Sequence, residues 1–288
     1  MTESIEHTGR TAVAPAPSPD GLPEGPGTVA APARKDRRVL RAVLRWTAAV
    51  VVFAAVGASS AYGITRVERT DLPGLGTESD GRWTYPELTR PPLPSGSPGP
   101  FAATNKAGTH YADLRALVLP APEGATDDKA LDGEHGWLAT EDFLAEYAAK
   151  SDREDLGGTL ADYGLRHVAA RGWTTPDGTH TRVYLLQFGT AALVDDLYGN
   201  RLAPYSAPSY QVRGAQTTAH DEAFPDAAAV DGVNRTAYVE PRPYGAEQVR
   251  QAYLSAGDTI AVITQSRKGG APAVPFQQTV TLQSELLG

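Results

Sequence analysis

Apolar and polar residues are unevenly distributed along the chain, and the longest apolar run lies in its first quarter. This run covers residues 46–65, WTAAVVVFAAVGASSAYGIT, and contains no charged residue. A helix of about 20 residues rises about 30 Å, which is the thickness of the hydrocarbon core of a bilayer. The pattern therefore predicts one transmembrane helix over residues 39–65, with residues 46–65 as its apolar core.

The charges on either side of this run predict its orientation. The residues before it are basic with one acidic residue among them, whereas the residues after it carry balanced charges. The positive-inside rule then places the N-terminus in the cytoplasm and the C-terminal part outside the cell. The basic residues are Arg34, Lys35, Arg37, Arg38, Arg41 and Arg45. The predicted location is the cell membrane, with a single pass through the bilayer.

A cleaved signal peptide is the alternative interpretation of the same run. The small residues Ala58-Ser59-Ser60-Ala61 suit a signal peptidase, and cleavage near Ala61 would release a secreted domain. Against this, the segment before the run is long, and the run exceeds the roughly 7–15 apolar residues of a usual signal peptide. We therefore favour an uncleaved anchor.

Two segments have the composition of chains without stable structure. Residues 1–38, which end in the basic cluster, are rich in Pro, Ala, Gly and Thr and poor in large apolar residues. Such a segment buries too little surface to offset its loss of conformational entropy, which predicts a disordered cytoplasmic tail. Residues 66–100 contain Arg90-Pro91-Pro92-Leu93-Pro94, a sequence that favours extended polyproline II and predicts a Pro-rich extracytoplasmic linker.

Residues 101–288 have the pattern of a folded domain. Helical periodicity predicts helices over residues 141–149, 156–163, 190–198 and 274–287. Alternation of apolar and polar residues predicts strands over residues 166–173, 180–188, 236–239, 248–254 and 259–265. A turn at Pro176-Asp177-Gly178 joins the first two strands, because Pro presets φ and Gly permits positive φ.

These elements predict an α+β domain, with a mostly antiparallel sheet covered by helices on one face. The order strand, hairpin, strand, helix occurs twice, which suggests two similar halves. This repeat concerns the order of the elements and not their residues.

Composition limits the partners of this domain. The chain has no Cys, so a domain outside the cell depends on its hydrophobic core, which about 190 residues can supply. Residues 66–288 carry 19 basic and 29 acidic residues, a net charge of −10. Because this charge repels phosphates, we expect no nucleic-acid partner. The excess of Arg (21) over Lys (5) suggests a high-GC, actinobacterial source.

The sequence has none of the common catalytic or cofactor-binding motifs. It lacks a G-x-S-x-G elbow, a Walker loop, an H-E-x-x-H motif and a dinucleotide fingerprint. The acidic run from Asp127 to His135 does not fit a calcium loop, because Lys129 and Leu131 stand where oxygen ligands belong. We interpret it as a solvated turn. No catalytic, cofactor-binding or metal-binding residue is therefore assigned, no cofactor is expected, and the ligand-binding residues stay unknown.

Three sets of residues are candidates for a site, each with a simpler interpretation. His220-Asp221-Glu222 could hold a metal or transfer protons, although three consecutive residues do not converge on one face. His167 and His180 lie on the predicted hairpin and could form a Zn²⁺-binding pair, or simply be surface histidines. Tyr205, Tyr210 and Tyr244 lie beside prolines in loops, where aromatic rings can face a ligand.

Part of the domain resembles actinobacterial extracytoplasmic proteins. The resemblance rests on Tyr163-Gly164-Leu165 through Trp173, on Asp177-Gly178, on residues 184–188 with the helix after them, and on an Ala-Gly-Asp hairpin near the end. The Gln-rich last helix adds Gln277, Gln278 and Gln283. These features are similar to the sensor domains of mycobacterial serine/threonine kinases and to cell-wall lipoproteins with a PsbP-like α/β sandwich. The chain differs in lacking their disulfide cysteines and a kinase portion, so the resemblance implies a fold and no functional residues.

The sequence leaves three functions open. The anchor, the linker and the lack of catalytic motifs favour a non-enzymatic binding or sensing module of the cell envelope, whose partner is an unknown envelope ligand or protein. An envelope hydrolase that uses scattered Asp, Glu or His residues is the alternative, and a structural partner of a membrane complex is the third. A deep pocket with converging carboxylates would favour the hydrolase, and a large exposed apolar patch would favour the structural partner.

Overall fold

The computed structural model describes residues 37–66 and 79–288 of the chain. Residues 1–36 and 67–78 lie outside the described residues, and with them most of the predicted cytoplasmic tail and the first part of the predicted linker. The chain divides into two units, Met1–Gly76 and Thr77–Gly288.

The first unit contains one long helix, α1, Arg37–Arg66. Its segment Arg38–Tyr62 has a mean hydropathy of 1.9, and none of its apolar window is buried. Within residues 37–66 and 79–288 it is the one helix long and apolar enough to cross a membrane. A helix that is apolar on all sides and buries none of them favours a lipid environment. This agrees with a single-pass membrane protein, whereas the orientation and the absence of cleavage stay predictions.

The second unit is built on a seven-stranded sheet in which all neighbouring strands are antiparallel. The order across the sheet is β1-β2-β3-β7-β6-β5-β4. The bounds are β1 Thr126–Asp127, β2 His167–Thr174, β3 His180–Gln187, β4 Ala219–His220, β5 Val233–Val239, β6 Glu247–Ala256 and β7 Thr259–Lys268. The predicted α+β class and antiparallel sheet are confirmed.

Helices lie on both faces of this sheet. Their bounds are α2 Leu114–Leu117, α3 Thr140–Leu144, α4 Lys150–Asp162, α5 Ala191–Leu197 and α6 Ala273–Leu287. One core cluster joins α3, α4 and α5 to Tyr184 and Leu186 of β3. A second cluster joins α2 and α6 to Val183 and Leu185 of the same strand. The prediction placed helices on one face; the structure adds the second layer because β3 is apolar on both faces and each face must be covered.

The repeated order of elements occurs in the structure without producing two equivalent halves. The hairpin β2–β3 is followed by α5, and the hairpin β6–β7 is followed by α6. The two helices belong to different core clusters and therefore cover opposite faces of the sheet. The sequence pattern identified the elements, whereas the face on which each helix packs depends on the connections between them.

The helix predicted over residues 141–149 is interrupted. α3 ends at Leu144, and α4 begins at Lys150, which the sequence placed at the end of a helix. Between them, Tyr147 is fully buried and forms an isolated β-bridge with Val212. Burial of an aromatic side chain outweighs the gain from one more helical turn, so the tertiary contact overrides the local pattern.

Part of the predicted linker packs on the domain. The Trp83 backbone exchanges two hydrogen bonds with the Gln278 side chain on α6: its N–H donates to Oε1 and Gln278 Nε2 donates to its carbonyl, both at 2.8 Å. The Tyr85 ring meets the Trp173 ring edge-on at 6.5 Å. Burial raises the pKa of the Tyr85 hydroxyl above its ordinary value. Residues 83–85 therefore pack against α6 as part of the second unit.

Candidate functional site

A pocket of about 290 Å³ lies at the edge of the sheet where β4 pairs with β5. We call it the His220 pocket, and it is lined by Tyr205, His220, Asp221, Glu222, Phe224, Asp226, Arg235 and Ala237. Two larger cavities, of about 500 Å³ beside α6 and about 730 Å³ beside Trp137, are more open to solvent. The His220 pocket combines an exposed aromatic ring with several charged groups, whereas the aromatic ring of the 730 Å³ cavity, Trp137, is partly buried.

The connection between α5 and β4 carries Tyr205 to the pocket. Directly before it, the Pro204 carbonyl accepts a hydrogen bond of 2.6 Å from the Tyr238 hydroxyl on β5. Directly after it, the Ser206 carbonyl accepts a hydrogen bond of 3.1 Å from the His220 N–H. Tyr205 is thus fixed from both sides by backbone groups, although it lies outside any helix or strand. A side chain held in this way is preorganised for contact with a ligand.

The buried carboxylate of Glu146 holds another part of the connection between α5 and β4. Glu146 is only 2% exposed, and its Oε2 accepts hydrogen bonds from the Tyr184 hydroxyl at 3.0 Å and from Arg213 Nη2 at 3.4 Å. Its Oε1 accepts a hydrogen bond from Thr264 Oγ1 at 3.1 Å and pairs with Arg182 Nη1 at 3.5 Å. Every partner is a donor, so both oxygens of this buried side chain are satisfied as acceptors inside the domain.

An aromatic pair forms one wall of the pocket. The Tyr205 ring stacks on the His220 imidazole with 4.3 Å between the ring centres and an angle of 28°. Tyr205 is nevertheless 73% exposed, the largest exposed fraction among the large apolar side chains of residues 79–288. His220 Nδ1 is buried without a hydrogen-bond partner. An exposed ring above a polar pocket is available to a ligand, since nothing in the domain covers its outer face.

Asp221 has a structural role in the wall. It is 4% exposed and pairs with Arg250 Nη1 at 3.0 Å. Its Oδ1 also accepts a hydrogen bond from the Ala223 N–H at 3.2 Å. Burial lowers the pKa of the Arg250 guanidinium, and the charge of Asp221 acts in the opposite direction. Because its charge is compensated inside the domain, Asp221 is not free to bind a ligand.

Glu222 and Asp226 differ from Asp221 in being exposed and unpaired. Among the described residues neither carboxylate forms an ion pair or a side-chain hydrogen bond. They lie on opposite sides of Phe224 along the chain and line the same pocket. Among the described residues, neither carboxylate has a hydrogen-bonded or ion-pair partner, and Asp226 has one opposite charge nearby, the Arg235 guanidinium.

Arg235 on β5 is held by neutral groups. Its guanidinium lies over the Phe224 ring at 4.0 Å, and it donates to the carbonyls of Ala228 at 2.7 Å and Pro225 at 3.2 Å. Burial lowers the pKa of this guanidinium, and the nearby charge of Asp226 opposes the shift. Arg235 thus fixes the turn that carries Asp226 and contributes one positive charge to the pocket.

The histidine candidates from the sequence have different outcomes. His167 and His180 do not meet, since the β2–β3 register pairs His167 with Gln187 and His180 with Thr174, at opposite ends of the hairpin. The proposed Zn²⁺ pair is therefore wrong. Within the described part of the chain no three His, Asp or Glu side chains are grouped so that they could hold a metal ion.

Of the three tyrosine candidates, one lines the His220 pocket and two do not. Tyr205 lies at the pocket, whereas Tyr210 is 7% exposed and donates its hydroxyl hydrogen to Asp155 at 2.6 Å. Tyr244 lies beside Arg242, whose guanidinium is 5.0 Å from the ring centre. The acidic run from Asp127 begins at the end of β1 and continues into a short 3-10 helix, Lys129–Leu131, in which Leu131 is buried while Lys129 is exposed and pairs with Asp127 at 3.6 Å.

Sequence reasoning missed a second buried polar group. His110 Nδ1 lies 2.8 Å from Asp258 Oδ1, and its Nε2 lies 3.1 Å from the Leu287 carbonyl. Gln187 Nε2 donates to the other oxygen of Asp258 at 3.1 Å. This group joins the β6–β7 turn to the end of α6. Its members are separated by up to 177 positions, so no local pattern could have revealed it.

The chain matches no protein-family model and no curated protein sequence. Two solved structures show partial similarity. An uncharacterised protein from Mycobacterium smegmatis has 11% identity and a TM-score of 0.28, over 59% of this chain and 79% of that protein. The extracellular domain of PknH from Mycobacterium tuberculosis has 11% identity and a TM-score of 0.29, over 56% of this chain and 77% of that domain. Similarity of this extent transfers no function, and the actinobacterial source stays a prediction.

Proposed function

We propose that the protein is a membrane-anchored binding module of the cell envelope, which binds a small polar ligand in the His220 pocket. One observation carries the proposal: an exposed aromatic ring, an imidazole and two unpaired carboxylates line a single pocket on a preorganised loop. A few polar groups that converge in a pocket are the usual mark of a ligand site. The basic residues that precede the apolar run of residues 46–65 support an orientation with this pocket outside the cell.

The proposal is tested by direct binding to the full chain in a non-ionic polyoxyethylene detergent. The ligand panel contains sugars, amino sugars, amino acids, small amines and small carboxylic acids, and binding is detected by saturation-transfer NMR. At least one compound should bind, and Tyr205→Ala should abolish its signal. The matched control is Tyr111→Ala, which removes a half-exposed ring outside the pocket and should leave binding intact. Failure of the whole panel, or equal binding by Tyr205→Ala, would refute the proposal.

A hydrolase is the second candidate, because Glu222 and Asp226 are two carboxylates in one pocket, the arrangement of a general acid and a general base. The two functions are separated by recovering the ligand after long incubation with the protein. A binding module returns the ligand unchanged, whereas a hydrolase returns cleavage products that disappear in Glu222→Gln or Asp226→Asn.

A further inference from the structure

From the charges of the His220 pocket, and resting on the function proposed above, we infer that the ligand is a small organic cation that presents a primary ammonium group. Glu222 and Asp226 would bind this group as charged hydrogen-bond acceptors, and the exposed face of Tyr205 would lie against it. The observation is that the pocket contains two exposed carboxylates that form no ion pair or side-chain hydrogen bond with the described residues, beside an open aromatic ring.

The balance of charge around the pocket is negative. Asp221 is neutralised by Arg250 at 3.0 Å and contributes nothing to a ligand. Glu222 and Asp226 contribute two negative charges and Arg235 one positive charge, which leaves one net negative charge among these three side chains. A bound cation would restore neutrality, whereas a bound anion would add to the repulsion.

The hydrogen bonds of Arg235 argue against an anionic ligand. A guanidinium that recognises a carboxylate or phosphate presents its fork of N–H groups to it. Arg235 instead directs Nη1 and Nη2 to two backbone carbonyls and stacks on the Phe224 ring. Its role is to hold the turn of Asp226, and the groups left without partners are acceptors.

The Tyr205 ring supplies the third contact. One face of this ring is stacked on His220, and the side chain remains 73% exposed, so the other face is open. The electron-rich face of an aromatic ring attracts an ammonium group placed within about 6 Å of its centre. Two carboxylate acceptors and an open ring are complementary to the three N–H donors and the positive charge of a primary ammonium.

The experiment compares ammonium compounds with their acetylated counterparts, using the full chain in a polyoxyethylene detergent. The probe pairs are glucosamine with N-acetylglucosamine, and ethanolamine with N-acetylethanolamine, and affinity is measured by ligand-observed NMR titration. Acetylation removes the charge and two donors while leaving the hydroxyl groups. At least one of the two amines should bind, and its acetylated counterpart should bind at least about tenfold more weakly, the loss expected for one charged hydrogen bond. Higher salt should weaken binding of the amine.

Variants assign this binding to the pocket. Glu222→Gln and Asp226→Asn should each weaken amine binding about tenfold. The control Glu123→Gln removes an exposed carboxylate elsewhere in the domain and should leave the affinity unchanged. Tyr205→Phe should retain binding and Tyr205→Ala should lose it, because the ring and not the hydroxyl makes the contact. Thermal melting of each variant verifies that it is folded.

The possible results separate this inference from the proposed function. Equal binding of an amine and its acetylated counterpart would overturn the ammonium assignment and indicate recognition of hydroxyl groups. If neither amine binds while another compound of the panel binds in a Tyr205-dependent manner, the ammonium assignment fails and the binding function stands. If nothing binds at the pocket, both fail. A charge-dependent affinity that is insensitive to Glu222→Gln and Asp226→Asn would also overturn the inference, because it would locate the amine elsewhere.

Discussion

Replacement of Glu146 by Gln tests whether the buried carboxylate holds the connection that carries Tyr205. The change keeps the size and shape of the side chain, so it creates no cavity. It removes the negative charge from a site whose four contacts are donors, at distances between 3.0 and 3.5 Å. Arg182 and Arg213 then lose their shared anionic partner.

The expected loss of stability follows from the burial of the groups. Removing one partner of a buried ion pair costs about 3–5 kcal/mol. Arg213 has a side chain that is 56% exposed, and Arg182 also lies 3.7 Å from Asp128, so water and a second carboxylate offset part of the loss. We therefore expect about 3 kcal/mol, the lower end of this range. For a domain of this size, that corresponds to a decrease in the melting temperature of about 6–12 °C.

Thermal unfolding of the full chain in detergent, followed by near-ultraviolet circular dichroism, measures this decrease. Glu123→Gln, which changes an exposed carboxylate, is the control and should alter stability by less than about 0.5 kcal/mol. Tyr184→Phe removes one of the four donors, and its effect should not add to that of Glu146→Gln, because both act on one network. A melting temperature of Glu146→Gln within about 2 °C of the wild type would refute the role assigned to Glu146.

The same variant links the network to the pocket. Arg213 belongs to the connection between α5 and β4, and its N–H also donates to the Glu146 carbonyl at 2.8 Å. Loss of the Glu146 charge loosens this connection but leaves the hydrogen bond between the Arg213 N–H and the Glu146 carbonyl in place. Amide hydrogen exchange should therefore accelerate around residues 203–218 well below the melting temperature. Unchanged exchange there would show that Tyr205 is positioned independently of Glu146.

Three further predictions concern stability and topology. Burial raises the pKa of the Asp177 carboxyl, but hydrogen bonds within the turn and from the Arg267 guanidinium outweigh this effect and hold the pKa below its usual 3.8. The stability that the ionised carboxylate contributes is therefore present at neutral pH and is lost as the pH falls through the lowered pKa. Asp177→Asn should thus be less stable than the wild type at pH 7 and lose less stability on acidification, as measured by urea denaturation. Phe276→Ala, at a fully buried position on α6, should cost about 3–5 kcal/mol in the same assay. Because the chain has no Cys, single cysteines can be introduced to test the topology with a membrane-impermeant maleimide. The reagent should label Ser151→Cys on intact cells and Ser18→Cys only after permeabilisation. The opposite labelling pattern would show that the predicted orientation is reversed.

The hairpin β2–β3 shows which parts of the fold the sequence predicts well. Its strands were predicted over residues 166–173 and 180–188 and are found at His167–Thr174 and His180–Gln187. Here the alternation of side chains and the turn chemistry point to the same structure. The last helix was predicted as accurately, because its apolar positions are periodic and Pro272 stands immediately before it.

The prediction failed where contacts distant in sequence decide the local structure. The helix that should have continued to residue 149 stops at Leu144, since Glu146 and Tyr147 are drawn into contacts with Tyr184, Arg213 and Tyr253. The helix pattern was present in the sequence, but the partners that compete with it lie far along the chain. The buried group around His110 escaped prediction for the same reason.

The candidate site combines residues that the sequence identified with residues that it did not. Tyr205 and His220 were each recognised as candidates, but for separate reasons and without any indication that their rings would stack. Arg235 and Asp226 were not recognised as candidates, because Arg235 stands just before the strand predicted over residues 236–239 and Asp226 lies in a Pro- and Ala-rich turn. Their convergence depends on the path of an irregular connection, which neither periodicity nor turn chemistry specifies.

The position of the pocket at the edge of the sheet has a physical reason. The central strands β3, β7 and β6 are covered on both faces, so a polar group there must find a partner inside the domain, as Glu146 and Asp258 do. An unpaired carboxylate in that region would cost several kcal/mol of desolvation. At the edge, β4 is only two residues long and has a neighbouring strand, β5, on one side alone, so the exposed Glu222 and Asp226 stay hydrated. The pocket is thus the region where this domain can keep net charge for a ligand, while the connection that carries Tyr205 is anchored to β5 through Tyr238, whose ring packs against Tyr253 of β6.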